Sequence, residues 1–156
     1  MVELVRTLEA EAEDMPEVLV WNVVFLKAET RRHLLDLFTP PDWRHCVAFG
    51  FSQDRWIVYD VGDVRSQILV LRPYQFDIWI SGIEPRITAA VQIHTKEAAR
   101  PLARVGLWCV TAIKHLTGIR SGAFTPKALF RDLLANGGKV HEHYGQGENT
   151  QAPGKS

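Results

Sequence analysis

The sequence is short of the features that define several large classes of protein. None of its apolar runs approaches the roughly 20 residues that a membrane-spanning helix requires. The N-terminus has no basic segment followed by a long apolar core, so no signal peptide is predicted and the expected compartment is the cytoplasm. Lys and Arg together number 18, as do Asp and Glu, and this balance argues against a nucleic-acid partner, which needs clustered positive charge.

Cysteine is scarce as well, and the common cofactor and metal motifs are missing. A chain of 156 residues buries enough apolar surface to fold without disulfides, so Cys46 and Cys109 are expected to be reduced thiols or to carry chemistry. The absence of C-x-x-C, a phosphate-binding Gly-rich loop, G-x-S-x-G and H-E-x-x-H sets aside phosphoryl transfer and dinucleotide chemistry. His141, Glu142 and His143 lie in a Gly-rich segment without further ligands. We therefore predict neither a cofactor nor a metal ion.

What the chain does contain divides it into one globular domain between two polar ends. Residues 1–17 carry six acidic residues against one Arg and predict an acidic arm or helix. Residues 18–140 hold the regular apolar patterns and predict a single α+β domain. Residues 141–156, rich in Gly, Gln and Asn, predict a flexible tail.

The hydrophobic pattern predicts an α+β fold in which an antiparallel β-sheet packs against a cysteine-bearing helix. Runs rich in β-branched and aromatic residues predict strands, and the short turns between them favour antiparallel pairing. Apolar residues spaced three and four apart predict helices, the last of which has Thr125 as its N-cap and Pro126 at its first position. The predicted strands are Val18–Leu26, His45–Phe51, Arg55–Val61, Gln67–Leu71, Phe76–Ile80 and Arg86–His94, and the predicted helices are Ala28–Phe38, Leu107–Leu116 and Pro126–Ala135.

Cys109 is the candidate nucleophile because of its position in a helix. A helix N-terminus stabilises a thiolate, more so beside an imidazolium, and Cys109 lies in the first turn of the predicted helix. The alternative interpretation is that Cys109 is a small buried hydrophobic residue. Cys46 lies next to His45 in a strand and points to the opposite face of the sheet, so we predict that Cys46→Ala leaves an activity nearly intact.

The candidate partners of this thiol lie on the hairpin HCVAFGFSQDRWIVYD, residues 45–60. A two-residue turn at residues 52–53 places His45 directly opposite Asp60, on the face that the cysteine helix is expected to cover. A slip of one residue brings Tyr59 opposite the histidine instead. The His45–Asp60 pair is either a base with its orienting carboxylate or a structural hydrogen bond. The same face is predicted to hold Val47, Phe49, Trp56 and Val58.

Three other histidines are weaker candidates for the base that activates Cys109. His94, at the end of the last predicted strand, is a competing base for Cys109. His115 lies six residues after Cys109, which is the wrong spacing for a facing pair, and is interpreted as a cation at the end of the helix. His33 is interpreted as a residue of a helix surface.

The order of these residues along the chain resembles a known enzyme family. His45 in one strand, Asp60 in the next and Cys109 in the later segment GLWCVTAIKHLTGI resemble the circularly permuted NlpC-type branch of the papain-like cysteine hydrolases, which includes the lecithin:retinol acyltransferase-like proteins. The likeness covers residues 43–134. The segment TPKALFRDLL also resembles small proteins of tailed bacteriophages that carry such a cysteine helix.

The resemblance implies a permuted papain-like fold with Cys109 as the nucleophile, His45 as the general base and Asp60 as the orienting group. The third position is often a histidine in that branch, whereas this chain has an acid there. Trp108 is expected to line an acyl-binding cleft or to lie in the core. The backbone N–H of Cys109 is the expected first donor of an oxyanion hole.

The implied function is that of a cysteine-dependent amidase or peptidase, or an acyltransferase, that works through a Cys109 thioester. The expected substrate is a peptide or a peptidoglycan-like amide. The alternative is a structural protein of a phage tail or neck that uses a catalytically silent papain-like domain. Its partners would be other virion proteins, and it would pass from the cytoplasm into the particle.

Overall fold

The computed structural model describes residues 18–28, 39–62, 65–96 and 108–141 of the chain. They form an α+β arrangement in which three helices pack against a six-stranded antiparallel sheet. None of the helices in these residues has the length and apolar character needed to span a bilayer. The acidic arm predicted over 1–17, nearly all of the helix predicted from Ala28 and the tail beyond residue 141 lie outside the described residues.

The sheet has the strand order β4-β3-β2-β1-β5-β6. Every neighbouring pair is antiparallel, and the short connections in the sequence account for this in the β2–β3 and β3–β4 pairs. The final two-residue strand was not predicted, because two residues carry no periodicity. The strands are β1 (Val20–Leu26), β2 (His45–Ser52), β3 (Arg55–Val61), β4 (Ser66–Leu71), β5 (Ile87–His94) and β6 (Lys139–Val140).

The three helices are α1 (Pro73–Ile83), α2 (Trp108–Thr117) and α3 (Pro126–Ala135). The last two confirm the helical spacing seen in the sequence. Helix α3 begins as predicted, since the Thr125 hydroxyl accepts a hydrogen bond from the Ala128 backbone N–H. Helix α2 ends at Gly118, whose φ of 67° is the left-handed conformation that terminates a helix.

The strand predicted over Phe76–Ile80 is wrong, because this segment is the middle of α1. Its alternation of apolar and polar residues spans only five positions, too few to distinguish a strand from a helix. Over a longer window, Phe76, Ile80 and Ile83 recur at helical spacing and pack against the sheet, whereas Ile78 is 72% exposed. Pro73 at the first helical position and the Gln75 side chain, which accepts a hydrogen bond from the Arg72 N–H at 2.9 Å, start the helix.

Helices cover both faces of the sheet, and each interface is a separate core. On one face, α2 and α3 pack over Val23 and Phe25 of β1. On the other, α1 packs over Val24 and Leu26 of the same strand. The central strands β1 and β2 are therefore apolar on both sides, which accounts for near-continuous hydrophobic runs such as VWNVVFL.

This layering corrects the predicted position of the cysteine helix. The face that holds Val47, Phe49, Trp56 and Val58 is covered by α1 and not by the helix that carries Cys109. Helix α2 instead covers the opposite face, where Cys46 and Ala48 of β2 belong to its core. Because α1 was interpreted as a strand, the helix that covers the Val47 face was missing from the prediction, and the cysteine helix was assigned to that face instead.

Candidate active site

The β2–β3 hairpin positions the candidate base and its carboxylate, and its register differs from the predicted one. The turn lies at Gln53 and Asp54, with φ of 42° and 59°, one residue later than predicted. Left-handed conformations at both central residues match the twist of the flanking strands. The ladder therefore pairs Val47 with Asp60, a shift of two residues from the predicted pairing of His45 with Asp60.

His45 and Asp60 nevertheless lie in contact. Because the shift is an even number of residues, Asp60 stays on the same face as Val47, and His45 becomes its diagonal neighbour. The distance from His45 Nε2 to Asp60 Oδ1 is 2.7 Å, that of a strong, charge-assisted hydrogen bond. Tyr59 pairs with Ala48 and lines a groove on the other face, so it does not replace Asp60.

Cys109 lies in the first turn of α2, against the beginning of β2. Its side chain is only 6% exposed and belongs to the core that α2 forms with the sheet. His45 is the first residue of β2 and shares the α1 face with Asp60, but it lies near enough to Cys109 to lower the pKa of the thiol. The structure thus brings together all three residues singled out from the sequence: Cys109, His45 and Asp60.

The pKa values of the thiol and the imidazole shift in opposite directions. Hydrogen bonding from the Cys46 thiol, followed by the hydrogen bond and positive charge of His45, lowers the pKa of Cys109 to about 5 even though burial opposes ionisation. Burial disfavours the His45 imidazolium, but the hydrogen bonds to Asp60 and to Cys109 outweigh it and raise the pKa of His45 to about 9. Near neutral pH the pair is therefore a thiolate and an imidazolium, as in activated cysteine nucleophiles.

Cys46 is the site residue that the sequence reasoning missed. It is a free, buried cysteine on the α2 face of β2, in the same core cluster as Cys109, and it is the largest cause of the lowered pKa of that thiol. Burial is the main reason that the pKa of Cys46 itself is raised. The segment HCVAFGF held a signal for this, because its consecutive apolar residues predict a strand that is covered on both faces. The face that carries Cys46 was therefore as good a candidate for the site as the face that carries His45.

The remaining candidates lie elsewhere. His94 is an exposed residue that pairs with Val20 on β1, and His115 lines a groove farther along α2. Trp108 is 71% exposed, so it is not a core residue. His33 falls outside the described residues. In the part of the chain that the structure describes, no three His, Cys, Asp or Glu side chains are arranged to hold a metal ion.

An open apolar groove of about 620 Å³ lies on the α2 face of the sheet. Ala112 is one helical turn after Cys109, so this end of the groove lies roughly 5 Å along the helix axis from the thiol-bearing residue. The groove has a size typical of small-ligand sites. The lining residues are Val18, Trp21, Ile57, Tyr59, Ile68, Thr95, Ala112, His115 and Leu116.

The site holds a thiol of lowered pKa near an imidazole of raised pKa, and that imidazole is hydrogen-bonded to a carboxylate. Such a group can attack an electrophilic carbonyl and then deliver a proton to the leaving group. Comparisons with protein-family models, curated proteins and solved structures found no match to this chain.

Proposed function

We propose that the protein is a cysteine-dependent hydrolase, an amidase or peptidase, or an acyltransferase that works through a thioester on Cys109. The observation that carries the proposal is the 2.7 Å hydrogen bond that holds His45 to Asp60, close to the Cys109 thiol whose pKa His45 lowers. A histidine oriented by a third group and facing a low-pKa thiol is the arrangement that nucleophilic catalysis requires.

In the proposed reaction, the Cys109 thiolate attacks the carbonyl carbon of an amide. The His45 imidazolium then donates its proton to the leaving amine, the carbon–nitrogen bond breaks and a thioester remains. Neutral His45 next removes a proton from water, or from an acceptor hydroxyl or amine, which attacks the thioester and releases the thiolate. Asp60 holds the ring in position throughout and stabilises its charged form, and the Cys109 N–H serves as one oxyanion donor.

The proposed fold family is the permuted papain-like group. Two facts support it: the chain order of His45, Asp60 and Cys109, and the packing of the cysteine helix against the histidine strand. The proposed substrates are peptide or peptidoglycan-like amides. The apolar groove that begins one turn from Cys109 is suited to an apolar portion of the substrate beside the scissile bond.

The test is to trap the thioester and map it. The protein is incubated with a p-nitrophenyl acyl ester and then digested with trypsin, which releases Cys109 on peptide 105–114 and Cys46 on peptide 45–55. We expect acylation of the first peptide only, with a pH dependence that moves toward higher pH in His45→Ala. In parallel, peptidoglycan sacculi are assayed for newly released amino groups. His94→Ala is the matched control, because His94 also ends a strand but is exposed and lies elsewhere.

A different result would overturn the proposal. Hydrolysis that persists in Cys109→Ala would remove the thioester mechanism. One observation favours the second candidate, a catalytically silent component of a phage tail or neck: the Cys109 side chain is almost fully buried. A Cys109 that resists acylation and alkylation until the protein unfolds, together with recovery of the chain in fixed ratio within purified particles, would support that candidate.

A further inference from the structure

Two free thiols lie side by side in the core between α2 and the sheet. Cys46 is on β2 and Cys109 on α2, and both are buried in the same cluster of side chains. They are close neighbours within this cluster, since each thiol is among the causes of the other's shifted pKa. The mechanism above uses only Cys109 as a nucleophile, so Cys46 takes part in no covalent step of it.

We propose that Cys46 is a resolving cysteine that closes a reversible disulfide with Cys109 after hydrogen peroxide has oxidised Cys109. The bond would join β2 to α2 within one chain. It would consume the thiolate on which acyl transfer depends, and a reducing dithiol would restore it. The proposal requires no acyl substrate and therefore stands or falls separately from the hydrolase proposal.

The first step oxidises Cys109. Its thiolate attacks one peroxide oxygen, the O–O bond breaks and the departing hydroxide takes the proton of the His45 imidazolium to become water. The product is a sulfenic acid on Cys109. The sulfur has lost two electrons, and the two peroxide oxygens have gained them.

The second step forms the disulfide. The Cys46 sulfur attacks the Cys109 sulfur, the S–O bond breaks and the departing hydroxide takes the Cys46 proton to become a second water. Overall, two thiols and one peroxide give one disulfide and two waters. Oxidation also favours the attack, because the negative charge on Cys109 is one cause of the raised pKa of Cys46 and a neutral sulfenic acid removes it.

The surroundings of the two thiols make Cys109 the thiol that peroxide oxidises first. The neighbouring His45 and Asp60 side chains are 24% and 37% exposed, so the pair that borders Cys109 reaches solvent on that side. Cys46 is sealed in the core, at 1% exposure. Oxidants react with the accessible thiolate, and a nearby thiol then captures the sulfenic acid.

The experiment treats the reduced, full-length protein with hydrogen peroxide, blocks the remaining thiols with N-ethylmaleimide and digests the chain without reductant. We expect a species in which peptide 45–55 is joined to peptide 105–114, two hydrogens lighter than their sum and absent after dithiothreitol. In Cys46→Ser the cross-link should be lost completely, and Cys109 should instead be labelled by dimedone, a sulfenic acid reagent. In Cys109→Ser, Cys46 should remain a thiol that maleimide reaches only after unfolding.

Three results would overturn the proposal. The first is equal dimedone labelling or equal over-oxidation of Cys109 in the wild type and in Cys46→Ser, with no cross-link. The second is a disulfide between two chains, seen as a dimer on a non-reducing gel. The third is the absence of any peroxide reaction in the folded protein. If the cross-link forms but no acyl thioester is ever trapped, the hydrolase proposal alone fails.

Discussion

Removing the His45 imidazole should move the titration of the Cys109 thiol toward higher pH. The native thiol has a pKa of about 5, and the charge and hydrogen bond of His45 account for part of that depression. An opposite charge in direct contact shifts a pKa by roughly 1–3 units, so His45→Ala should raise the midpoint by about that amount. The thiol and backbone N–H of Cys46 remain, and the midpoint should therefore stay below the ordinary value of 9.0.

The pH midpoint of the Cys109 titration is the proper readout, because the alkylation rate at a single pH combines two opposing effects. A thiolate of higher pKa is intrinsically more nucleophilic, with a Brønsted coefficient of about 0.4–0.5. A rise of roughly 1–3 units therefore speeds the reaction of the ionised form by about 3- to 30-fold while reducing its population near neutral pH. At pH 7 alone the two effects largely offset each other, and the rate should change by only a few-fold.

The assay follows alkylation by iodoacetamide between about pH 4 and 10, the span over which a thiol of shifted pKa titrates. Quantifying peptide 105–114 separates Cys109 from Cys46, which is on peptide 45–55. His94→Ala should leave the profile unchanged. A wild-type midpoint near 9, or an unchanged midpoint in His45→Ala, would refute the ion pair and with it the chemical basis of the proposed function.

Three further predictions concern the same elements. In Asp60→Asn, the pKa of His45 should fall from about 9, because the hydrogen bond to Asp60 is the largest of the interactions that raise it. NMR titration of the imidazole measures this pKa, and an unchanged value would contradict the prediction. The raised pKa of His45 contributes stability that is complete below pH 6.5 and is lost as the pH rises to about 9. The lowered pKa of Cys109 contributes stability that is complete above pH 9 and is lost as the pH falls to about 5. Between pH 6.5 and 9 the two contributions to the free energy of unfolding therefore change by equal and opposite amounts. In urea denaturation, the part of the free energy of unfolding that His45 and Cys109 supply should be constant over that pH range. Below it, this part should fall by at most about 1.4 kcal/mol per pH unit on acidification. An increase in acid would contradict the ion pair. Gly118→Ala should lower the free energy of unfolding by more than about 1 kcal/mol, because Gly118 has a positive φ and an added Cβ would meet Lys96. Gly82→Ala, in open space within α1, should leave the free energy of unfolding unchanged or raise it. Equal denaturation midpoints for the two variants would rule this out.

Most of the fold could be predicted from periodicity and from end signals. The runs around Val20–Leu26 and Arg55–Val61 are long enough to be recognised as strands, and Thr125, Pro126 and Gly118 mark helix ends through backbone chemistry that does not depend on distant contacts. The segment Pro73–Ile83 could not be assigned in the same way. Its helical face is defined by the residues it packs against, Phe49 among them, and not by its own short alternation.

The candidate site was less predictable than the fold. The contact of His45 with Asp60 is compatible with either of two hairpin registers, because a shift by two residues keeps both side chains on one face. The correct register depends on Gln53 and Asp54 adopting left-handed conformations, which residues other than glycine seldom do. Cys46 was missed because a strand pattern defines which residues share a face but not which helix covers it.

Lys114 has a consequence for the position of the nucleophile, although it lies roughly 7.5 Å along the helix axis from Cys109. Its buried ammonium group donates hydrogen bonds to the carbonyl oxygens of Ser121 and Ala123, at 3.3 Å and 2.9 Å, on the loop that leads to α3. Helix α2 is thus anchored near its C-terminal end, and sliding along its axis would break two hydrogen bonds of a buried charge. The depth at which the sulfur sits against β2 is therefore determined partly by a loop at the far end of the helix, and a change in that loop would be transmitted to the thiol as a displacement of the whole helix.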